Sequence, residues 1–240
     1  MSRHRLTLIG LLGAGLLATG ALTGCASGAA SSPSSPASAD AVSPAPAGEI
    51  EAAWVDAGRA VAVITSGSSS CIPTVNGEPE YTDGAVTVDL VEPSQEPCTR
   101  DMAPRATLVT LPAGVDPGAG LTLRVTGAAE GEAVLAALDE APAASEEFAP
   151  SAGWAGSSLV AIVTYGSSSC VPTVESVSAD GDRVAVRFAE PPADQVCTMD
   201  FAPRVTLADV GAVAGDGAVS LVLSGGNVQA PDPISVLGTR

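Results

Sequence analysis

Acidic residues dominate the charge of this chain of 240 residues. It contains 27 aspartates and glutamates against ten arginines and no lysine, and its net charge is −17. Such a surface repels phosphate backbones and anionic headgroups, which argues against nucleic-acid binding. Only 3% of the residues are aromatic. Small domains whose cores consist of Val, Leu and Ala commonly need covalent cross-links.

Residues 1–24 are predicted to form a signal peptide. A basic start with Arg3 and Arg5 precedes the uncharged apolar run Leu6–Leu22, and Leu-Thr-Gly-Cys ends at Cys25. These last four residues resemble the lipobox of bacterial lipoproteins. The resemblance implies cleavage before Cys25, diacylglycerol on its thiol and attachment to the outer face of the cell membrane. The alternative is an uncleaved transmembrane anchor, for which the run is short and diluted by glycines.

Residues 25–47 are predicted to form a tether. Ser, Ala and Pro dominate this segment, and Asp40 is its only charged residue. Such a composition cannot form a core, and its prolines keep the chain extended. The covalent lipid on Cys25 would therefore be the contact with the membrane, and the folded part would stand off the bilayer on the extracytoplasmic side.

The rest of the chain contains two copies of one pattern. The block Gly67–Val75 returns as Gly166–Val174, and the block Cys98–Leu108 returns as Cys197–Leu207, each 99 residues later. A repeat of this length indicates two tandem domains, because solenoid repeats are about 20 to 50 residues long. The predicted organisation is module 1 at 48–140, a hinge at 141–146 and module 2 at 147–240.

Hydropathy predicts an all-β fold. Apolar residues alternate in Ala85–Leu90, whereas Arg59–Thr65 and Leu159–Tyr165 are uniformly apolar, as expected of strands buried on both faces. Asp180-Gly181 is a typical hairpin turn. We therefore expect two tandem small β-sandwich-like (or barrel) modules, each closed by one disulfide.

One segment, Gly131–Glu140, has a weak helical period. It aligns with Asp232–Gly238, in which Pro233 argues for a short strand instead. The strand is therefore the preferred prediction for both segments.

Four cysteines remain once Cys25 is assigned to lipid. They allow three pairings, and the repeat favours the pairs that close each module within itself, Cys71–Cys98 and Cys170–Cys197. The alternative is a zinc site. Structural zinc sites use closely spaced ligands, whereas this chain has no C-x-x-C and no histidine after His4. We expect no metal and no cofactor.

The repeated Gly-Ser-Ser-Ser-Cys motif has two interpretations. As a binding loop, its amides and hydroxyls would cradle a sugar or a small anion. As a structural turn, its hydroxyls would satisfy backbone groups beside the disulfide, which is the preferred prediction. The serines concerned are Ser68, Ser69, Ser70, Ser167, Ser168 and Ser169.

The repeated Cys-Thr-x-Asp-x-Ala-Pro-Arg motif places an acid four residues before an arginine. This spacing predicts the ion pairs Asp101–Arg105 and Asp200–Arg204 across one turn. Alternatively, the planar arginine fork would bind a ligand carboxylate.

The tryptophans Trp54 and Trp154 mark the starts of the two modules. One tryptophan per module, just ahead of a core strand, is more typical of a core residue than of a carbohydrate platform.

Catalytic residues are scarce after the leader. With no histidine or lysine there, and with the thiols assigned, Ser-His-Asp, Cys-His and Ser-Lys arrangements are excluded. We therefore predict a non-catalytic envelope protein that binds a ligand or partner (a protein or glycan), or supports the envelope. The alternative is a carboxylate-based hydrolase acting on cell-wall glycan.

The duplicated motifs also resemble those of uncharacterised lipoproteins of actinobacteria. A lysine-free composition rich in Ala, Gly and Val is typical of the GC-rich genomes of that group. The resemblance covers both modules. It implies a location in the cell envelope but brings no activity and no functional residues.

Overall fold

The computed structural model describes residues 49–94, 97–139, 147–228 and 230–240, all of which belong to one compact unit. The predicted signal peptide 1–24, the tether 25–47 with Cys25 and the hinge 141–146 lie outside the described residues. No helix in the described ranges is long and apolar enough to span a membrane. Their regular secondary structure is almost entirely β, with 49% strand and 3% helix, which confirms the predicted all-β class.

The described part of the chain contains fifteen strands. The first repeat, residues 49–139, contains β1 (Glu51–Val55), β2 (Ala60–Gly67), β3 (Thr74–Val75), β4 (Glu80–Thr82), β5 (Ala85–Val91), β6 (Ala103–Thr110), β7 (Leu121–Gly127) and β8 (Gly131–Leu135). The second repeat, residues 147–240, contains β9 (Ser151–Ala155), β10 (Leu159–Gly166), β11 (Val174–Asp180), β12 (Arg183–Phe188), β13 (Ala202–Asp209), β14 (Ser220–Gly225) and β15 (Ile234–Leu237). Short 3-10 turns cover Asp56–Gly58 and Pro117–Ala119.

Each repeat arranges its strands in the same order. In the first, the sheet β1-β2-β6 faces a second sheet, β3-β5-β7-β8, to which β4 adds at β5. The strands β5 and β7 are parallel neighbours, because the chain between them crosses to the other sheet as β6. In the second repeat β15 also pairs with β9, so the strands of both layers form one seven-stranded sheet.

A core lies between the two layers of each repeat. In β5, Val86, Val88 and Leu90 point inward and are fully buried, which confirms the predicted alternation. Trp54 is 2% exposed, and its indole Nε1 donates a hydrogen bond to Ala136 O at 2.8 Å. The tryptophan is therefore a core residue with a satisfied polar atom, as predicted.

The two repeats also pack against each other. The outer face of β2, with Ala62 and Ile64, joins Ala161 and Val163 of β10 in a third apolar cluster. This contact explains why β2 and β10 are apolar on both faces, as their uniform sequences predicted. The backbones approach closely at Gly153, where a Cβ atom would lie 1.8 Å from Trp54 O.

Two local predictions are also confirmed. Asp180 pairs with Arg183 across a two-residue loop, and Gly181 adopts φ +64°, so the hairpin turn is where the sequence indicated it. The segment with a weak helical period forms the strand β8, and its counterpart in the second repeat forms β15.

Candidate functional site

Each repeat has one disulfide bond within itself, Cys71–Cys98 and Cys170–Cys197, as predicted. Both bonds link a loop that follows a long strand to the segment that leads into β6 or β13. No cluster of three metal-ligating side chains occurs among the described residues.

The serine motif of the first repeat bonds to the segment after Cys98. The Ser69 N–H donates to Asp101 Oδ1 at 3.2 Å, and the Thr99 N–H donates to Ser70 Oγ at 3.0 Å. Ser68 Oγ lies 2.8 Å from Thr99 Oγ1, and the Thr99 hydroxyl donates to Asp101. The hydroxyls thus join two loops beside the disulfide, which favours the structural interpretation.

The second repeat builds the same network. The Ser168 N–H donates to Asp200 Oδ1 at 3.1 Å, and the Thr198 N–H donates to Ser169 Oγ at 2.9 Å. Ser167 Oγ lies 2.8 Å from Thr198 Oγ1. Hydrogen bonds from Ser168 and Thr198 lower the pKa of Asp200 to about 2, and those from Ser69 and Thr99 do the same for Asp101.

The predicted ion pairs Asp101–Arg105 and Asp200–Arg204 are wrong. Each arginine lies on a strand, β6 or β13, and its acid precedes that strand. A spacing of four residues brings side chains together on a helix, whereas an extended chain advances about 3.3 Å per residue. The acids bond to the serine and threonine of the loops instead.

Arg105 is buried beside the first disulfide, with 6% of its surface exposed. Its Nε donates to Thr65 Oγ1 at 3.2 Å, and its Nη1 donates to Cys71 O. Its Nη2 forms a salt bridge of 2.5 Å with Glu92. The guanidinium lies against Gly67, where a Cβ atom would be 2.5 Å from Cζ, so a larger residue at this position of the repeated motif would displace the arginine head group.

Arg204 is buried in the same place but is not neutralised. Its Nη1 donates to Cys170 O at 2.8 Å, and its Nη2 donates to Tyr165 O at 3.0 Å and to Thr164 Oγ1 at 3.4 Å. Its Nε has no partner within the described ranges. Desolvation lowers the pKa of Arg204, because burial penalises the charged form.

The acid that would match Glu92 is Glu190. Each glutamate lies two residues after the last core residue of its strand, Leu90 or Phe188, and directly before a proline. Glu190 Oε1 instead accepts a hydrogen bond of 3.3 Å from the Gly226 N–H. No salt bridge joins it to Arg204 in the part of the chain that is described.

A pocket of about 1090 Å³ adjoins Arg204 in the second repeat. Three aromatic rings line it: Phe148 lies 5.4 Å from Tyr165 and 5.2 Å from Phe201 between ring centroids, both edge to face. Phe201 is 62% exposed. The first repeat has Ser66 and Met102 at the positions of Tyr165 and Phe201, so this aromatic cluster (Phe148, Tyr165 and Phe201) belongs to the second repeat alone.

Sequence reasoning missed this pocket. It singled out Arg204 but not Glu190 or the aromatic cluster. The available signal was the departure from the repeat, Ser66 to Tyr165 and Met102 to Phe201, in a chain with few aromatic residues.

Comparison with known proteins identifies no relative of this chain. No protein-family model matches the chain, and neither a curated protein nor a solved structure matches it. The resemblance to actinobacterial lipoproteins therefore stays a prediction.

A smaller hollow of about 380 Å³ lies where the repeats meet, lined in part by Glu51, Glu132 and Trp154. Burial, and then the charge of Glu49, raises the pKa of Glu51. Glu132 accepts a hydrogen bond of 2.7 Å from Arg124. Since one of its acids is held by an arginine, this hollow gives little support to the glycan-hydrolase alternative, which needs two cooperating carboxyl groups.

Proposed function

We propose that the chain is a lipid-anchored envelope protein that binds a small ligand, without catalysis, in the pocket of its second repeat. The leader and Cys25 support the anchor. The pocket supports the binding role, because its volume of about 1090 Å³ is large enough for a small molecule. The scarcity of groups that exchange protons near neutral pH supports a role without chemistry.

The observation that carries the binding role is the difference between two repeats with the same fold. In the first repeat, Glu92 neutralises the buried arginine. In the second, the arginine has no acid partner among the residues described, and three aromatic side chains line the space beside it. If this arginine served only the fold, both copies would be expected to keep the same neutralised arrangement. The second repeat instead lacks this salt bridge among the described residues and has a pocket beside the arginine, as expected at a binding site.

A fragment titration followed by two-dimensional ¹H–¹⁵N NMR tests this proposal. The sample is the full chain with Cys25→Ser, and the probes are soluble acids, amines and neutral aromatics at millimolar concentration. Binding fragments should shift the amide signals of Thr164–Gly166 and Gly226 and leave those of Thr65–Gly67 unchanged. The proposal fails if no fragment shifts the pocket signals, or if both repeats respond equally.

The matched variants are Phe201→Ala and Met102→Ala, which truncate equivalent exposed side chains in the two repeats. Phe201→Ala should weaken fragment binding at least tenfold, because it removes one ring of the aromatic cluster. Met102→Ala should leave binding unchanged. Equal effects of the two variants would contradict the assignment of the pocket to the second repeat.

A further inference from the structure

We propose that the pocket binds a small monocarboxylate with an aromatic or apolar body, whose carboxylate pairs with the guanidinium of Arg204. This inference rests on the proposed function and names the chemical class of its ligand.

The hydrogen-bond donors of the two arginines differ in their acceptors. In the first repeat, Nη1 of Arg105 donates both to Cys71 O and to Glu92 Oε2. In the second, Nη1 of Arg204 donates to Cys170 O, and Nε has no acceptor in the described ranges. The side chain is nevertheless 92% buried, since 8% of its surface is exposed.

A buried charge without a counter-charge is unfavourable, and a carboxylate that reaches it removes that cost. Nη1 of Arg204 carries two N–H groups and has one acceptor, Cys170 O, in the described ranges, so an N–H group of this charged side chain remains for a carboxylate. The contact that Glu92 makes in the first repeat shows that this fold leaves room for a carboxylate beside the guanidinium.

Glu190 does not occupy the position that Glu92 has in the first repeat. Its carboxylate bonds to the Gly226 N–H, and Gly226 adopts φ +58° with a would-be Cβ only 2.7 Å from Phe188 Cβ. The positive φ and this close contact favour glycine at position 226, so the backbone amide that donates to Glu190 has a defined position. The space that Glu92 fills in the first repeat is thus left to the pocket in the second.

The residues that line the pocket further restrict the chemical class of the ligand. The aromatic cluster (Phe148, Tyr165 and Phe201) offers ring faces and edges to an apolar or aromatic body. Phe148 is held at φ +64°, a conformation that bulky residues rarely adopt and that occurs at functional sites. Glu147, Glu190 and Asp232 also line the pocket, and their negative charges oppose anionic ligands in proportion to the charge of the ligand. Among anions that pair with Arg204, a ligand with one carboxylate is therefore opposed less than a ligand with several.

The test compares three probes of similar shape in the full chain with Cys25→Ser: 3-phenylpropionate, 3-phenylpropionamide and 3-phenylpropylamine. NMR titration at neutral pH should give a dissociation constant for the acid at least tenfold below that of the neutral amide. The amine should bind more weakly than the acid. Because all three probes are measured on one protein, this comparison does not depend on the folding of a variant.

Two variants test whether Arg204 causes the preference for the acid over the amide. Arg204→Gln should abolish the preference for the acid while binding of the amide persists. Glu190→Gln should increase the affinity for the acid, because it removes a negative charge from the pocket lining. If the acid binds only in Glu190→Gln, then Glu190 neutralises Arg204 in solution and the inference is wrong.

The outcomes separate the two proposals. Equal affinity for the acid and the amide would overturn the carboxylate inference and leave the binding function standing. The inference also fails if the three probes do not bind while other fragments shift the pocket signals. If no compound shifts those signals, both proposals fail.

Discussion

Arg105 Nη2 lies 2.5 Å from Glu92 Oε1, whereas the matching residues of the second repeat, Arg204 and Glu190, form no such contact. The arginines occupy equivalent positions on β6 and β13, and both lie against the glycine that opens the serine motif. The duplicated arginine therefore has an acidic partner in the first repeat, whereas in the second it bonds to neutral oxygen atoms within the described ranges.

Loss of the glutamate charge should affect the two repeats differently. Glu92→Gln should lower the free energy of unfolding by about 1 kcal/mol, because it leaves Arg105 buried without a counter-charge while Glu92 itself is 44% exposed and screened. Glu190→Gln should change stability by less than about 0.5 kcal/mol. Urea denaturation of both variants measures this difference. Equal losses would show that the two arginines have the same surroundings in solution.

The contact between repeats should depend on Gly153. Gly153→Ala places a Cβ atom 1.8 Å from Trp54 O, so the strands must separate, and we expect a loss of about 3 kcal/mol or more. Gly215→Ala is the control, because a Cβ atom there meets nothing within 4 Å. Thermal unfolding of both variants is the measurement. A Gly153→Ala protein as stable as the control would mean that β1 and β9 do not approach as described.

Stability should fall in acid partly through Asp101 and Asp200. Their pKa values are about 2 in the folded protein, below the value near 3.9 of an unfolded chain. A lowered pKa stabilises the fold above about pH 4, and this contribution is lost as the pH falls towards 2. The double variant Asp101→Asn/Asp200→Asn should thus be less stable than wild type at pH 6, and the two stabilities should converge near pH 2. A difference that stays constant from pH 6 to pH 2 would contradict this assignment.

Each disulfide should stabilise the fold to a similar extent. The two bonds close loops of the same sequence separation, 27 residues, for which the chain-entropy model gives about 3 to 4 kcal/mol. The pairs Cys71→Ser/Cys98→Ser and Cys170→Ser/Cys197→Ser should therefore lose comparable amounts in urea denaturation. A loss in only one repeat would mean that the other is held together by different contacts.

The anchor is tested by Cys25→Ser. Without the thiol there is no site for diacylglycerol, so the protein should move from the membrane fraction to the medium. Immunoblots of fractionated cells measure this shift, and the mass of the mature protein shows whether lipid is attached. Continued retention at the membrane would favour the transmembrane alternative.

Much of the fold could be predicted from local patterns. The duplication selected the disulfide pairs, and the uniformly apolar runs around Val61 and Ala161 indicated strands buried on both faces. These features depend on spacing and composition, which the sequence displays directly.

The ion pairs and the pocket could not be predicted in this way. The acid before Arg105 was assigned as its partner by a spacing that applies to helices, but that arginine lies on a strand and its partner is Glu92, 13 residues away. In the second repeat, the glutamate at the matching position, Glu190, accepts a hydrogen bond from the Gly226 N–H, which is 36 residues away in the sequence. Contacts between residues that are distant in sequence arise from the packing of the sheets, and they leave no local pattern in the amino-acid sequence.

The most direct test of the account is a crystal structure of the chain soaked with 3-phenylpropionate. We predict that its carboxylate lies within hydrogen-bonding distance of Arg204, that its ring contacts the aromatic cluster, and that Arg105 remains paired with Glu92. A structure in which Glu190 closes onto Arg204 and the pocket holds no ligand would contradict the account.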